Sequence, residues 1–142
     1  MVNMSMSNAA NGRHVVRVER ESTVEIPGSS GRVIGQTYYY GLYFQDDEVA
    51  QAWAMETFER SPGHGSQKGL TINVYKDGST TVMSFQGAKS DLGEKDRNGF
   101  AGTWEFVGGT GRFEGIIGAG DYNGESFEGI AYSNVSGNVA KR

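Results

Sequence analysis

Carboxylates on one predicted strand are the first side chains in this sequence that could do acid–base chemistry. Glu19 and Glu21 lie two positions apart in a run rich in β-branched residues, so strand alternation places both on one face, with Arg17 beside them. A carboxyl group inside a protein can protonate or polarise a bound molecule, which makes Glu19 the candidate acid. The alternative is a solvated outer face carrying an ordinary Arg-Glu-Glu group.

The tyrosine-rich segment RVIGQTYYYGLYFQ is the second candidate. Strand alternation places Tyr38 and Tyr40 on one face and Tyr39 and Tyr43 on the other. Tyrosines inside a barrel can bind an apolar ligand and orient it through their hydroxyls, and Tyr38 is the second catalytic candidate. The alternative is that the aromatic residues fill a core or an interface. The predicted ligand-binding residues are Tyr38, Tyr40, Phe85, Trp104 and Phe106.

The two histidines do not predict a metal site. His14 and His64 lie fifty positions apart, and the chain contains no cysteine, so no zinc-ligand spacing is present. His64 belongs to the loop-like stretch PGHGS, which favours an ordinary loop residue over an acid or base at the rim of a site. The sequence therefore predicts neither a metal nor another cofactor.

Charge argues against two classes of partner. The chain has 13 basic and 17 acidic residues and a formal net charge of −4. Proteins that bind nucleic acids or anionic membrane surfaces normally carry a basic surplus, so neither partner is predicted. No apolar run of 18 residues occurs, and the first residues do not resemble a signal peptide. With no cysteine, these features favour a cytoplasmic protein.

The chain divides into a short leader and one domain. Residues 1–13 are small and polar without periodicity and predict a disordered leader, and residues 14–142 are long enough for one core. About eight strand-like segments follow at short spacing, without a convincing helix. Residues 46–60 fit a helix or a strand and are interpreted as a loop followed by a strand, whereas residues 61–69 predict a loop. The fold class is therefore all-β, with a single eight-stranded antiparallel up-and-down barrel preferred because closure removes exposed edges.

The glycine cluster GGTG, which comprises Gly108, Gly109, Thr110 and Gly111, resembles a phosphate-binding loop at first sight. Such a loop needs a helix after it, whose amide groups face the anion. Here the following segment, RFEGIIGAGDY, is glycine-spaced and strand-like, and no Gly-Lys-Ser/Thr motif is present. The cluster therefore predicts a hairpin.

This segment also resembles a known family. WEFVGGTGRFEGIIGAGDY is similar to the signature hairpin of the allene oxide cyclase and dirigent-like β-barrels, with matches at Gly108, Gly109, Gly111, Phe113 and Gly118. The match covers residues 103–122. The resemblance implies a calycin-like barrel with an apolar cavity and no cofactor, commonly a homodimer or homotrimer. Its members cyclise an unstable epoxide or guide radical coupling.

Three functions are consistent with these observations. The first is a cofactor-free barrel that binds a small, largely apolar molecule and steers its cyclisation, isomerisation or coupling, chiefly by holding it in a folded conformation. The second is a carrier or sensor that uses the same cavity without turnover. The third is a filled barrel that serves as an oligomerisation module. Two properties of the structure distinguish these functions: whether the barrel is hollow, and which faces of the strands point inward.

Overall fold

The computed structural model describes residues 8–142 and shows a closed barrel of eight antiparallel strands in sequential order. The last strand pairs with the first, so no strand edge is left open. The predicted all-β, eight-stranded, up-and-down architecture is confirmed. The strands are β1 (Asn8–Glu25), β2 (Val33–Gln45), β3 (Glu48–Ser61), β4 (His64–Val74), β5 (Thr80–Asp91), β6 (Arg97–Thr110), β7 (Ile116–Phe127) and β8 (Ile130–Lys141).

Two boundaries differ from the predicted ones. Strand β1 begins at Asn8, so residues 8–13 belong to the barrel and not to a leader; residues 1–7 lie outside the described part. This stretch lacks β-branched residues, but it pairs with β8 along its length, and small Ala10 is 2% exposed between its neighbours. The predicted loop at residues 61–69 is also mostly strand. Only Pro62 and Gly63 form the turn, and β4 starts at His64.

A β-bulge in β1 decides which of its side chains face inward. The register with β2 shifts between Val18 and Arg20, so Glu19 is an extra residue on this strand. A bulge changes the alternation of faces, because one residue has no partner of its own. Residues before and after it therefore cannot be assigned to faces by counting in twos.

One end of the barrel is sealed by aromatic residues and an arginine. Tyr75 packs against Phe113 with ring centroids 4.7 Å apart, and the Arg112 guanidinium lies over both rings. Arg112 donates two hydrogen bonds to the Glu48 carboxylate, at 3.0 and 2.5 Å, and a third to Asp77 at 3.1 Å. We call this the closed end.

The GGTG segment lies at the closed end as part of a strand–turn–strand connection. Gly108, Gly109 and Thr110 end β6, and Gly111 begins a single 3-10 turn, Gly111–Phe113, before β7. Gly111 has a φ of +62°, and a Cβ atom there would overlap Ser79, so only glycine fits this position. The helix that a phosphate cradle requires does not follow this segment.

Candidate functional site

The inward face of β2 carries Tyr39 and Tyr43. Tyr43 is 2% exposed, whereas its outward neighbours Leu42 and Phe44 are about 40% exposed. Tyr38 and Tyr40 have the parity of these outward residues and lie half-buried on the outside of the barrel. The placement of Tyr38 and Tyr40 in the ligand site is therefore corrected. Both faces of this strand are aromatic, so the alternation alone did not distinguish inside from outside.

The bulge separates the two carboxylates of β1. Glu19 lies outside, with a side chain 45% exposed, and pairs with Arg17 at 3.1 Å. The alternative of a solvated outer face therefore holds for Glu19, and its assignment as an internal acid is corrected. Glu21 has the opposite orientation: its carboxylate accepts a hydrogen bond of 2.9 Å from the Thr37 hydroxyl, a fully buried residue of β2.

A cavity of about 100 Å³ lies inside the barrel. Two of the predicted binding residues, Phe85 and Trp104, form part of its wall. Phe106 does not; it packs edge-on against Trp104, with ring centroids 5.0 Å apart, in the core. The barrel is therefore neither fully packed nor widely hollow. Further apolar residues of the wall are Val16, Ala54, Met83, Phe100, Ala131 and Val135.

The cavity adjoins a wider hollow of about 510 Å³ at the end opposite the closed end. We call this hollow the mouth. Four residues line both spaces and form the neck between them: Tyr39, Lys89, Ser126 and Ala131. His64 lines the mouth, so it does lie at the rim of the barrel. The mouth is acidic, with two basic side chains, Arg60 and Lys89, against five carboxylates: Glu21, Glu59, Asp91, Asp96 and Glu128.

A buried carboxylate holds the neck together. Glu56, 2% exposed, accepts a hydrogen bond from the Tyr39 hydroxyl at 2.8 Å and lies 2.9 and 3.0 Å from the Lys89 ammonium nitrogen. Burial, and then the neighbouring Glu56 charge, raise the pKa of Tyr39, so its hydroxyl stays protonated and keeps donating. The Lys89 ammonium also lies 5.2 Å from the centre of the Phe58 ring. This cluster of carboxylate, cation and phenol is able to polarise a bound molecule at the neck.

A second polar pair lies in the cavity wall. Gln67 donates a hydrogen bond of 2.6 Å to the Tyr122 hydroxyl oxygen. Burial raises the pKa of Tyr122, so the hydroxyl keeps its own proton. Among the described residues, no acceptor is bonded to that proton. Tyr122 can therefore donate to a guest in the cavity.

The inner part of the wall contains a histidine that the sequence did not connect with the site. His14 is 9% exposed, and its Nε2 lies 3.0 Å from the Asn73 side-chain oxygen. Its ring stacks on Tyr43 at a centroid distance of 4.1 Å. Burial lowers the pKa of His14 to about 4, and the bond to Asn73 offsets this effect only in part.

We expect this histidine to make the protein sensitive to acid. Because the pKa is about 6.5 when unfolded and about 4 when folded, protonation favours the unfolded chain. The free energy of unfolding is therefore highest above pH 6.5, where His14 is neutral in both states. It falls by about 2 to 3 kcal/mol as the pH drops towards 4. Urea unfolding of the wild type and H14F across this range measures it. The prediction requires a flatter profile for H14F; parallel profiles would contradict it.

Three polar residues of the site, Glu56, Lys89 and Tyr122, were not predicted from the sequence, and only Glu56 has a sequence pattern that indicates an inward position. In β3, Ala50, Ala52 and Ala54 alternate with larger residues, and Glu56 continues the same parity. A carboxylate in phase with a row of small residues is typical of an inward position in a crowded barrel. The ambiguous assignment of this segment concealed the pattern. Lys89 and Tyr122 had no comparable signal.

The outer face of β2, β3 and β4 is apolar. Trp53, Leu70 and Ile72 are each 43% exposed and lie beside Tyr38 and Tyr40. Aromatic and aliphatic side chains of this kind are common in protein–protein interfaces. The homo-oligomer implied by the sequence stays a prediction, since one chain is described.

No family model and no curated protein matches the chain. The resemblance to allene oxide cyclase and dirigent-like barrels therefore stays a prediction carried by the hairpin at residues 103–122. No helix within residues 8–142 combines the length and hydrophobicity needed to cross a membrane.

Proposed function

We propose that this protein binds a small, largely apolar molecule inside its barrel. The observation that carries the proposal is the cavity of about 100 Å³, lined by aromatic and aliphatic side chains and adjoining the mouth at the neck. An apolar cavity of about 150 Å³ takes up a benzene-sized guest. This cavity is about two thirds of that volume, so it suits a short branched chain, or a small ring that reaches into the neck. Any remaining part of the ligand would extend through the neck into the mouth.

The acidic mouth restricts the charge of the part of the ligand that extends into it. Five carboxylates against two basic groups disfavour a ligand whose exposed end is anionic. The neck adds a fixed polar group, because Glu56, Tyr39 and Lys89 are held together by hydrogen bonds and an ion pair. We infer a ligand that is neutral or cationic at its outer end.

The finer proposal is that the barrel steers a cyclisation, isomerisation or coupling of its guest. Confinement in a shaped cavity supplies orientation, which is a large contribution in reactions that fold a flexible molecule. Tyr39, Glu56 and Lys89 then take the roles predicted for Glu19 and Tyr38. The alternative is binding without turnover, as in a carrier or sensor. It is favoured by one observation: Glu56 is already engaged by both of its neighbours and is not a free base.

Binding is tested with toluene as a probe of the cavity. We expect toluene to shift amide resonances of cavity-lining residues in a saturable way. A131L narrows the neck, and we expect it to weaken binding at least tenfold, because Ala131 is 8% exposed and lines both hollows. A101L makes the same change on the outward face of β6 and is the matched control. Absence of saturable shifts, or equal effects of both variants, would overturn the proposal.

A further inference from the structure

The orientation of one amide in the wall determines the chemistry of His14. Asn73, which is fully buried, donates from Nδ2 to the Thr81 hydroxyl at 3.1 Å and lies 3.4 Å from the Met83 sulfur. A hydroxyl can donate or accept, but a thioether sulfur only accepts, so the Met83 contact places Nδ2 on that side and directs the oxygen towards His14 Nε2, at 3.0 Å. A side-chain carbonyl oxygen only accepts hydrogen bonds, so His14 carries its proton on Nε2.

The other ring nitrogen, Nδ1, is therefore an acceptor. A neutral imidazole that donates from Nε2 has a lone pair on Nδ1. Among the described residues, no donor is bonded to this nitrogen. The imidazole is part of the cavity wall, and stacking on Tyr43 at an interplanar angle of 23° holds the ring in place. The wall of the cavity thus includes a fixed imidazole with an unbonded acceptor nitrogen, in mainly apolar surroundings.

We propose that His14 is a specificity-determining residue whose Nδ1 accepts a hydrogen bond from a hydroxyl or N–H group on the buried end of the ligand. This inference rests on the proposed function and names the ligand class: a small ring or chain that carries a donor at its inner end. A buried acceptor left without a partner is unfavourable, so a site of this kind discriminates against an isostere that lacks the donor. Phenol fits this description, whereas toluene, which has no donor, does not.

The test compares phenol with toluene by amide chemical-shift titration. We expect the wild type to bind phenol roughly tenfold more tightly than toluene. H14F preserves an aromatic ring against Tyr43 but has no acceptor, and we expect this preference to disappear. Y38F removes a hydroxyl from the outer face and is the control that keeps the preference. Loss of the preference in both variants, or in neither, would overturn the inference.

A measurement on the wild type does not depend on whether H14F folds. Two-bond ¹H–¹⁵N spectra report which imidazole nitrogen carries the proton. We expect His14 to be protonated on Nε2 in the free protein, and its Nδ1 resonance to move with phenol much more than with toluene. A proton on Nδ1 of the free protein, or equal effects of both probes, would overturn the inference. If neither probe binds, the proposed function itself fails; if both bind equally, only the role of His14 fails.

Discussion

Replacing Gly120 by valine is expected to prevent the barrel from closing. Gly120 in β7 faces Gly137 in β8, and a Cβ atom on Gly120 would overlap the Ser136 carbonyl oxygen and lie 2.6 Å from the Gly137 Cα. Both contacts are with backbone, which cannot rotate away as a side chain can. We expect a loss of more than about 4 kcal/mol, at the upper end for point mutations and comparable with the whole stability of many domains.

Circular dichroism and amide chemical-shift dispersion of G120V, followed by urea unfolding where a folded form remains, measure this effect. A119V is the matched control, because Ala119 is the adjacent residue of β7 and points outward. We expect A119V to change the free energy of unfolding by about 0.5 kcal/mol or less, since valine suits an exposed strand position. If the free energy of unfolding of G120V lies within about 1 kcal/mol of the wild-type value, β7 and β8 can move apart to accommodate the side chain, and the prediction is wrong.

Replacing Glu56 by leucine has the second largest expected effect. E56L leaves the Lys89 ammonium without its carboxylate and the Tyr39 hydroxyl without its acceptor. Removing one partner of a buried ion pair costs about 3 to 5 kcal/mol. Because the Lys89 side chain is 23% exposed at the neck and retains some hydration, we expect about 3 to 4 kcal/mol.

The double variant E56L/K89M distinguishes loss of the Glu56–Lys89 ion pair from poorer packing at position 56. It removes both charges while keeping an apolar side chain at each position, and we expect it to recover most of the stability lost in E56L. Urea unfolding of the wild type, both single variants and the double variant measures the coupling energy. If E56L and the double variant are equally unstable, the ion pair does not explain the effect, and packing at position 56 does.

The architecture was predictable because its signals are local. Alternating β-branched and aromatic runs between glycine-containing turns favour antiparallel strands, and eight of them close into one barrel. The start of β1 was not predictable in this way. Residues 8–13 become strand because β8 pairs with them, and that contact comes from the other end of the sequence.

The interior was only partly predictable, for two physical reasons. In β2 both faces carry tyrosines, so only closure of the barrel selects Tyr39 over Tyr38. In β1 the bulge at Glu19 breaks the period of two, and it places Glu19 outside while Glu21 accepts a hydrogen bond from buried Thr37. Phe85 and Trp104 do lie in the cavity wall, because a single aromatic stripe on an otherwise small or polar strand has only one apolar face to bury, and their part in binding stays a prediction.

The seam between β1 and β8 has a consequence for how the chain folds. The other strand pairs are hairpins of neighbouring segments, whereas Asn8 pairs with Val139, roughly 130 positions away, so this contact carries the largest loop-closure entropy. We infer that the hairpins form early and that the seam closes last. The neck contains residues of β2, β5, β7 and β8, so it is complete only when the seam has closed. Until then β1 and β8 present unpaired edges, and the chain passes through its most aggregation-prone state just before its cavity exists.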